Sequence, residues 1–155
     1  MPSAHATEAV MTQEPVIVTN SPAETFAVGR NLARSLHAGS VVALFGELGS
    51  GKTTLIQGIA SGLGVRQPVS SPSFTLINEY AGRLPIYHFD FYRIKRVQDA
   101  WELVLDDYFY GEGVCLLEWA DRIRPLLPER RADVYIKHLF HKHQENRREI
   151  TIVQR

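Results

Sequence analysis

The chain has 155 residues with 17 basic and 17 acidic side chains, 45% hydrophobic and 22% charged residues, so its formal net charge is zero at neutral pH. This composition is typical of a globular protein, and it excludes wholesale disorder and coiled-coil or collagen-like character. The longest apolar run covers residues 41–45, far short of the roughly 20 residues that a membrane span needs.

The amino-terminal segment and the cysteine usage bear on domain count and compartment. Residues 1–15 have neither the basic start nor the apolar stretch of a secretory signal, so we predict a flexible leader. We expect residues 16–155 to form a single domain. Cys115 is the one cysteine of the chain and lies in an apolar run, which favours a core residue in a reducing cytoplasm.

The first predicted elements are a strand and a helix. The β-branched run 16–19 predicts a strand. Ser21 and Pro22 suit the cap and first position of a helix, and Glu24 completes a capping box. Gly39 is the predicted end of this helix.

A glycine-rich segment then separates a strand from a second helix. Residues 41–45 are apolar on both faces, which is typical of a central strand covered by helices. Residues 52–63 have helical apolar spacing, and Gly64 follows as the terminator. The turn formers and hydroxyls of 65–73 predict a loop.

The second half of the chain contains mostly strands. We predict a hairpin from strands 74–80 and 84–89, a short helix over 98–105, a strand over 114–117, a broken helix and loop over 120–131, and two final strands over 134–140 and 149–153. The fold class that follows is α/β, a P-loop NTPase-like three-layer fold. Its central sheet is mixed and mostly parallel, with helices on both faces and antiparallel additions.

The glycine-rich segment carries the strongest chemical signal. It fits the pattern G-x-x-x-x-G-K-[ST] with Gly46, Glu47, Leu48, Gly49, Ser50, Gly51, Lys52 and Thr53. Glycines let backbone N–H groups surround a phosphate, and the following helix directs its positive end at the same anion. Lys52 is placed for the β- and γ-phosphates and Thr53 for a magnesium ion, so the segment predicts nucleotide binding.

A nucleotide-bound Mg²⁺ requires an acidic group near the end of a neighbouring strand. Asp90 and Glu118 both follow apolar strand patterns. Because Mg²⁺ takes only one or two protein carboxylates, we expect one to coordinate it and the other to hold or activate water.

Other candidates remain open between functional and structural roles. The loop 70–75 is either a phosphate sensor or a polar turn. Trp119 packs either against the nucleotide or on the sheet edge. His88 shares a strand face with Asp90, and a lone histidine there is more often structural.

Four segments together resemble the TsaE family of bacterial ATPases, formerly called YjeE. They are GELGSGKTT at 46–54, SPSFTLINEY at 71–80, HFDFYR at 88–93 and LLEWADR at 116–122, and the likeness extends over residues 16–153. Members of that family assist the synthesis of threonylcarbamoyladenosine in tRNAs that read codons beginning with adenine. They act with two partner proteins, TsaD and TsaB.

The resemblance implies roles for individual positions. Residues 46–54, including Thr54, would hold the phosphates of ATP, with Thr53 and Glu118 on Mg²⁺. Asp90 would be the essential acid near the γ-phosphate, and Trp119 would lie near the nucleotide. The loop 71–75 would be a switch, although Ser73 stands where the family usually has threonine.

Two other functions compete with the ATPase interpretation. A small-molecule P-loop kinase is the first, with a lid formed by Arg122, Arg124, Arg130 and Arg131. A nucleotide-independent nucleic-acid module is the second, since residues 122–155 carry nine basic and four acidic side chains. This basic stretch is a candidate docking face for an acidic partner or tRNA. GTP specificity is disfavoured because the chain lacks an Asn-Lys-x-Asp motif.

Overall fold

The structure is a computed structural model that describes residues 14–47, 49–72, 75–138 and 145–155. The predicted leader lies outside these residues except for its last two positions. Leu48 and Ser73, both predicted at the nucleotide site, also lie outside them.

Seven strands of the described residues form one mixed sheet. They are β1 (Val16–Thr19), β2 (Val41–Phe45), β3 (Ile77–Ala81), β4 (Pro85–Asp90), β5 (Val114–Glu118), β6 (Ala132–His138) and β7 (Arg148–Gln154), in the order β1-β7-β6-β2-β5-β4-β3. The four strands β6, β2, β5 and β4 are parallel, while β3, β7 and β1 are antiparallel additions. Strand β2 is therefore the middle strand of a mostly parallel sheet, as its sequence predicts.

Helices cover both faces of this sheet. The α-helices are α1 (Pro22–Ala33), α2 (Lys52–Gly62) and α3 (Leu105–Phe109), and two 3₁₀ segments cover Val97–Leu103 and Ala120–Leu126. Val42 and Leu44 of β2 pack in one core with α1 and α2. Val41, Ala43 and Phe45 pack in a second core on the opposite face with the 3₁₀ segments and α3. This alternation produces the predicted three layers.

Helices α1 and α2 pack at very short range. A Cβ atom placed on Gly29 of α1 would collide with the backbone of α2, and one on Gly58 of α2 would collide with the backbone of α1. Glycine at these positions allows the contact that fixes α2 and the loop before it on the sheet.

Helix α1 starts as predicted but ends early. Ser21 accepts a hydrogen bond from the Glu24 N–H at 3.1 Å. The helix ends at Ala33 rather than near Gly39, because the Ser35 N–H and hydroxyl both bond to the Leu32 carbonyl and tighten the last turn.

The predicted helix over 98–105 is also wrong in detail. The chain forms a 3₁₀ segment and then α3, and Val104 between them has a φ of 49°. This left-handed residue breaks the hydrogen-bond ladder, so the two pieces do not form one helix.

Two predictions concern the environment of the chain. Cys115 is fully buried in the core, as predicted, and its burial raises the pKa of the thiol to about 12. Among the described residues, no helix has the length and apolar character needed to cross a membrane.

Candidate nucleotide-binding site

The fold brings the predicted phosphate loop and both predicted carboxylates to one edge of the sheet. The loop joins the carboxyl end of β2 to the start of α2. Asp90 and Glu118 end the parallel neighbours β4 and β5, and they are paired across the two strands. Parallel strands end at the same edge, which is where open α/β sheets bind ligands.

The backbone of the phosphate loop depends on its glycines. Gly49 and Gly51 have φ angles of 79° and 108°, which other residues rarely adopt. A Cβ atom on Gly46 would lie 2.6 Å from the Ile136 carbonyl oxygen and 2.7 Å from Ser50 Oγ. Gly51 is also the cap of α2, so it has no side chain to accept bonds from the first N–H groups of that helix.

Lys52 lies against the loop that precedes it. Its Nζ donates to the carbonyl oxygens of Gly46 and Glu47, the latter at 3.1 Å, and lies 3.9 Å from the centre of the Trp119 ring. Burial lowers the pKa of Lys52, an effect opposed by nearby carboxylates, first among them Glu118. The ammonium thus occupies a site rich in oxygen and π-electron density.

Glu118 is the centre of a buried hydrogen-bond network. Its Oε1 accepts from the Thr53 hydroxyl at 3.2 Å, and its Oε2 accepts from the Ser71 hydroxyl at 2.7 Å. His88 Nε2 lies 2.7 Å from the same Oε2. Burial alone would raise the pKa of Glu118, but the bonds and charge of His88, then Ser71 and Thr53, lower it overall. The carboxylate is therefore held ionised.

Asp90 has the opposite electrostatic character. It is half-buried and accepts a hydrogen bond from the Tyr92 N–H at 2.9 Å. Burial raises its pKa, and the adjacent Glu118 adds to that effect, while the Tyr92 hydrogen bond, His88 and Lys52 oppose it. The two neighbouring carboxyl groups therefore have pKa shifts in opposite directions.

Trp119 closes one side of the site. It adopts a φ of 56°, and its ring centre lies 5.0 Å from that of Tyr92. The Arg122 guanidinium lies 5.7 Å from the Trp119 ring. The indole therefore lies beside Lys52, at the same edge of the sheet as the phosphate loop.

The predicted sensor loop enters the site through Ser71. Its hydroxyl lies 3.0 Å from Thr53 Oγ1 in addition to its bond with Glu118. Thr75, in contrast, is exposed and donates to the nearby Ile77 carbonyl. Of the hydroxyls in this loop that the structure describes, Ser71 is the one joined to Glu118.

A cleft of about 440 Å³ lies between these groups. Its volume is within the roughly 300–1,000 Å³ typical of ligand pockets. Its lining residues are Gly49, Ser50, Gly51, Lys52, Thr53, Thr54, Ser71, Asp90, Tyr92, Glu118, Trp119 and Arg148.

The donor set of the cleft fits a magnesium ion. Thr53, Ser71 and Glu118 offer hydroxyl and carboxylate oxygens within hydrogen-bond distance of one another. No cluster of three or more His, Cys, Asp or Glu side chains suited to a metal occurs in the described parts of the chain. Mg²⁺ commonly binds through one or two protein ligands together with phosphates and water, so this sparse set suffices.

Sequence reasoning missed Arg148. The sequence predicts the basic stretch 122–155 as a docking face, but Arg148 within it donates from Nε to the Ser50 carbonyl at 2.7 Å and lines the cleft. No spacing rule could have found it, because 98 positions separate the two residues. The sequence leaves the role of His88 open and favours a structural one, and the structure shows that it bonds to Glu118, the predicted metal ligand.

The arginines proposed for a kinase lid do not gather at the cleft. Arg130 and Arg131 line a groove with Val41, at the opposite end of β2 from the phosphate loop. Arg131 also bonds to the buried Asp133 at 2.7 Å. Of the four, Arg122 is beside Trp119, and Arg124 lies over the Phe45 ring.

Comparisons with known proteins identify relatives of this chain. The family model of the threonylcarbamoyl adenosine biosynthesis protein TsaE matches residues 19–150. The tRNA threonylcarbamoyladenosine biosynthesis protein TsaE of Bacillus subtilis is 45% identical over 134 residues, covering 86% of this chain and 81% of the relative. The protein of the same name from Treponema pallidum is 38% identical over 135 residues, covering 87% and 97%.

A solved structure has the same fold. The crystal structure of Bacillus subtilis YdiB superimposes with a TM-score of 0.75 at 40% identity, covering 92% of this chain and 86% of that one. Sequence and structure therefore agree, and the chain belongs to the TsaE family.

Proposed function

We propose that this chain is the ATP-binding and ATP-hydrolysing subunit of the machinery that makes threonylcarbamoyladenosine in tRNAs reading codons that begin with adenine. In this proposal it acts with TsaD and TsaB in the cytoplasm. The names of its relatives support a role in biosynthesis of this modification. The catalytic site supports the more specific activity.

One observation carries the ATPase proposal. Lys52 and Thr53 of the phosphate loop share a single cleft with the ionised Glu118 and with Asp90, whose pKa is raised. A cation for phosphates, oxygen ligands for a metal and a separate proton acceptor are the parts that ATP hydrolysis needs.

The residues have distinct tasks in this mechanism. The N–H groups of the phosphate loop and Lys52 bind the β- and γ-phosphates, and Thr53 and Glu118 would hold Mg²⁺. When bound, Mg²⁺ neutralises charge that develops on the phosphate oxygens. Asp90 orients a water molecule and accepts its proton as the water oxygen bonds to the γ-phosphorus and the bond to the bridging oxygen breaks.

Hydrolysis by the isolated chain should be slow. An arginine finger raises the rate of phosphoryl transfer by about 10³–10⁵ in other ATPases and GTPases. Arg122 is held near Trp119, and its guanidinium donates to the Ile94 carbonyl at 3.5 Å. We therefore expect a partner protein to complete the site or to reposition Arg122.

Reconstitution with TsaD, TsaB and tRNA tests this function. Phosphate release and repeated turnover of modified tRNA should both rise when all components are present. The Lys52→Ala variant should lose nucleotide binding and both activities, with Lys95→Ala as a control because Lys95 is an exposed side chain that does not line the cleft. Full ATP affinity in the Lys52→Ala variant would contradict the proposal, and so would phosphate transfer to a metabolite without the partners.

The docking face 122–155 forms part of the proposal for partners. Within it, Arg131 and Arg155 are both paired with Asp133, and Arg148 is bound to the phosphate loop. Arg130 and Lys137 are exposed and remain for contact with an acidic partner surface or tRNA. Charge reversal at both positions should weaken assembly of the complex in size-exclusion chromatography while ATP binding stays intact. Assembly equal to that of the wild type would remove this face from the proposal.

A further inference from the structure

Arg148 links the last hairpin of the sheet to the phosphate loop. It is the first residue of β7, and its Nε donates to the Ser50 carbonyl at 2.7 Å while Nη2 donates to the Gly49 carbonyl at 3.3 Å. Its Nη1 donates to the carbonyls of Glu145 and Arg147 at 2.8 and 3.1 Å. The guanidinium thus bridges two segments that lie far apart in the chain.

Arg148 contacts the part of the phosphate loop whose backbone has an unusual conformation. A loop that binds anions turns its N–H groups toward the ligand and its carbonyls away from it. Gly49 and Gly51 supply the positive φ angles of that arrangement, and Arg148 binds the carbonyls of Gly49 and Ser50 between them. A planar guanidinium with fixed donors suits two neighbouring acceptors better than a single ammonium does.

Among the described residues, no carboxylate forms an ion pair with Arg148. The ion pairs found among the described residues are His88–Glu118, Arg96–Asp99, Arg131–Asp133 and Arg155–Asp133. Arg148 is absent from that set although it is half-buried. Its guanidinium instead donates to backbone carbonyls, so its contact with the phosphate loop does not depend on an acidic side chain.

The position of Arg148 suits a nucleotide. It lines the cleft together with Lys52, and it also lines a second cavity of about 30 Å³ with Thr25, Thr54 and Asn146. Arg148 therefore borders both the cleft at the phosphate loop and a small cavity next to α1.

We infer that Arg148 is a positioning residue of the nucleotide site, which holds the phosphate loop in its anion-binding form through the carbonyls of Gly49 and Ser50. This inference rests on the proposed function. It adds a determinant of nucleotide affinity from the final hairpin, which is outside every sequence motif of the site.

The test compares three variants by calorimetric titration with ADP and Mg²⁺. Arg148→Ala should weaken ADP binding on the order of tenfold, the scale of a lost hydrogen bond to a charged group. Arg148→Lys keeps the charge but cannot bind both carbonyls with the same geometry, so it should recover part of the affinity. Arg147→Ala removes a neighbouring positive charge and should bind ADP within twofold of the wild type.

Two further measurements separate positioning from general stability. The KM for ATP should rise more than kcat falls in the Arg148 variants, since the loop is disturbed rather than the water-activating Asp90. If Arg148 only stabilised the hairpin, its replacement would instead lower the thermal midpoint of the free protein and leave the ADP affinity of the folded fraction unchanged. If Arg148→Ala does not fold, Arg148→Lys decides the result.

The outcomes distinguish this inference from the proposed function. ADP affinity within twofold of the wild type in Arg148→Ala, or full affinity in Arg148→Lys, would overturn the role of the two-carbonyl contact. If the Lys52→Ala variant no longer binds ADP in the same experiment, the proposed function stands. No ADP binding by the wild-type chain would overturn both.

Discussion

His88 Nε2 lies 2.7 Å from Glu118 Oε2, and both side chains are almost completely withdrawn from solvent. Because an ionised carboxylate can only accept, His88 donates this hydrogen bond through its Nε2–H. The pair joins the middle of β4 to the end of β5, so one contact both supports the sheet and orients the predicted metal ligand.

Removing His88 should destabilise the folded protein, because it leaves the buried Glu118 carboxylate without this partner. His88→Ala should lower the free energy of unfolding by about 3 kcal/mol, because Glu118 would lose its principal partner. Urea denaturation measures this change, and His37→Ala is the control because His37 is exposed. In a double-mutant cycle with Glu118→Gln, strictly additive effects would contradict a direct coupling of the pair.

The stability of the protein should fall in acid partly through Glu118. The pKa of Glu118 is lowered in the folded state from the usual value of 4.5, so the unfolded chain binds this proton more readily. Its contribution to stability is therefore present above about pH 4.5 and is lost as pH falls through the folded pKa. Unfolding between pH 6 and 3 should show a shallower decline for Glu118→Gln, and a slope equal to that of the wild type would contradict the assignment.

Asp90→Asn should separate stability from catalysis. Burial raises the pKa of Asp90, so the charged carboxylate costs stability in the folded protein, and this cost is fully present above the folded pKa. The amide removes that charge and still accepts from the Tyr92 N–H, so we expect a thermal midpoint raised by about 1–2 °C after allowance for partial exposure. ATP hydrolysis should be abolished. A lower midpoint together with normal hydrolysis would contradict both assignments.

Ser71→Ala should raise the magnesium requirement of ATP hydrolysis. Its hydroxyl bonds to Glu118 and lies 3.0 Å from Thr53 Oγ1, so the two predicted magnesium ligands lose a shared partner. We expect the Mg²⁺ concentration for half-maximal hydrolysis to rise about tenfold, the effect typical of losing a group that orients a metal ligand. Ser70→Ala is the matched control, since Ser70 is exposed and its hydrogen bonds to Tyr80 and Asn78 are made by its backbone. Equal Mg²⁺ requirements in the two variants would argue against this role.

Nucleotide binding should change the fluorescence of Trp119. Lys52 Nζ lies 3.9 Å from its ring centre in this structure, and reaching the β- and γ-phosphates would draw the ammonium away from the indole. Trp101→Phe removes the second, exposed tryptophan, so the remaining signal comes from Trp119. Titration with ADP should shift this emission, whereas the Lys52→Ala variant should give no shift.

Much of the fold could be predicted because it is encoded in local patterns. The run 41–45 is apolar on both faces, and it forms the buried middle strand. Ser21 and Glu24 are close in the chain, so their capping contact can be anticipated from spacing alone. The early end of α1 could not, because it depends on the competing bonds that the Ser35 N–H and hydroxyl make with the Leu32 carbonyl.

The candidate site also has features that local sequence predicts and features that depend on the fold. The phosphate loop is a contiguous segment whose glycines and lysine have meaning at fixed spacing, so its chemistry can be predicted before any fold is known. The two carboxylates could be anticipated as strand ends. The opposite shifts of their pKa values could not, since they depend on burial and on His88 and Ser71.

The sequence by itself determined the phosphate loop, its flanking strand and helix, the two acidic positions and the α/β class, because each depends on residues close together in the chain. Only the tertiary structure decided the strand order and which distant side chains meet. The order puts β4 beside β5 and so brings His88 to Glu118, and packing of the final hairpin brings Arg148 to the phosphate loop. Such contacts arise from the pairing of strands distant in sequence, and local periodicity carries no information about that pairing.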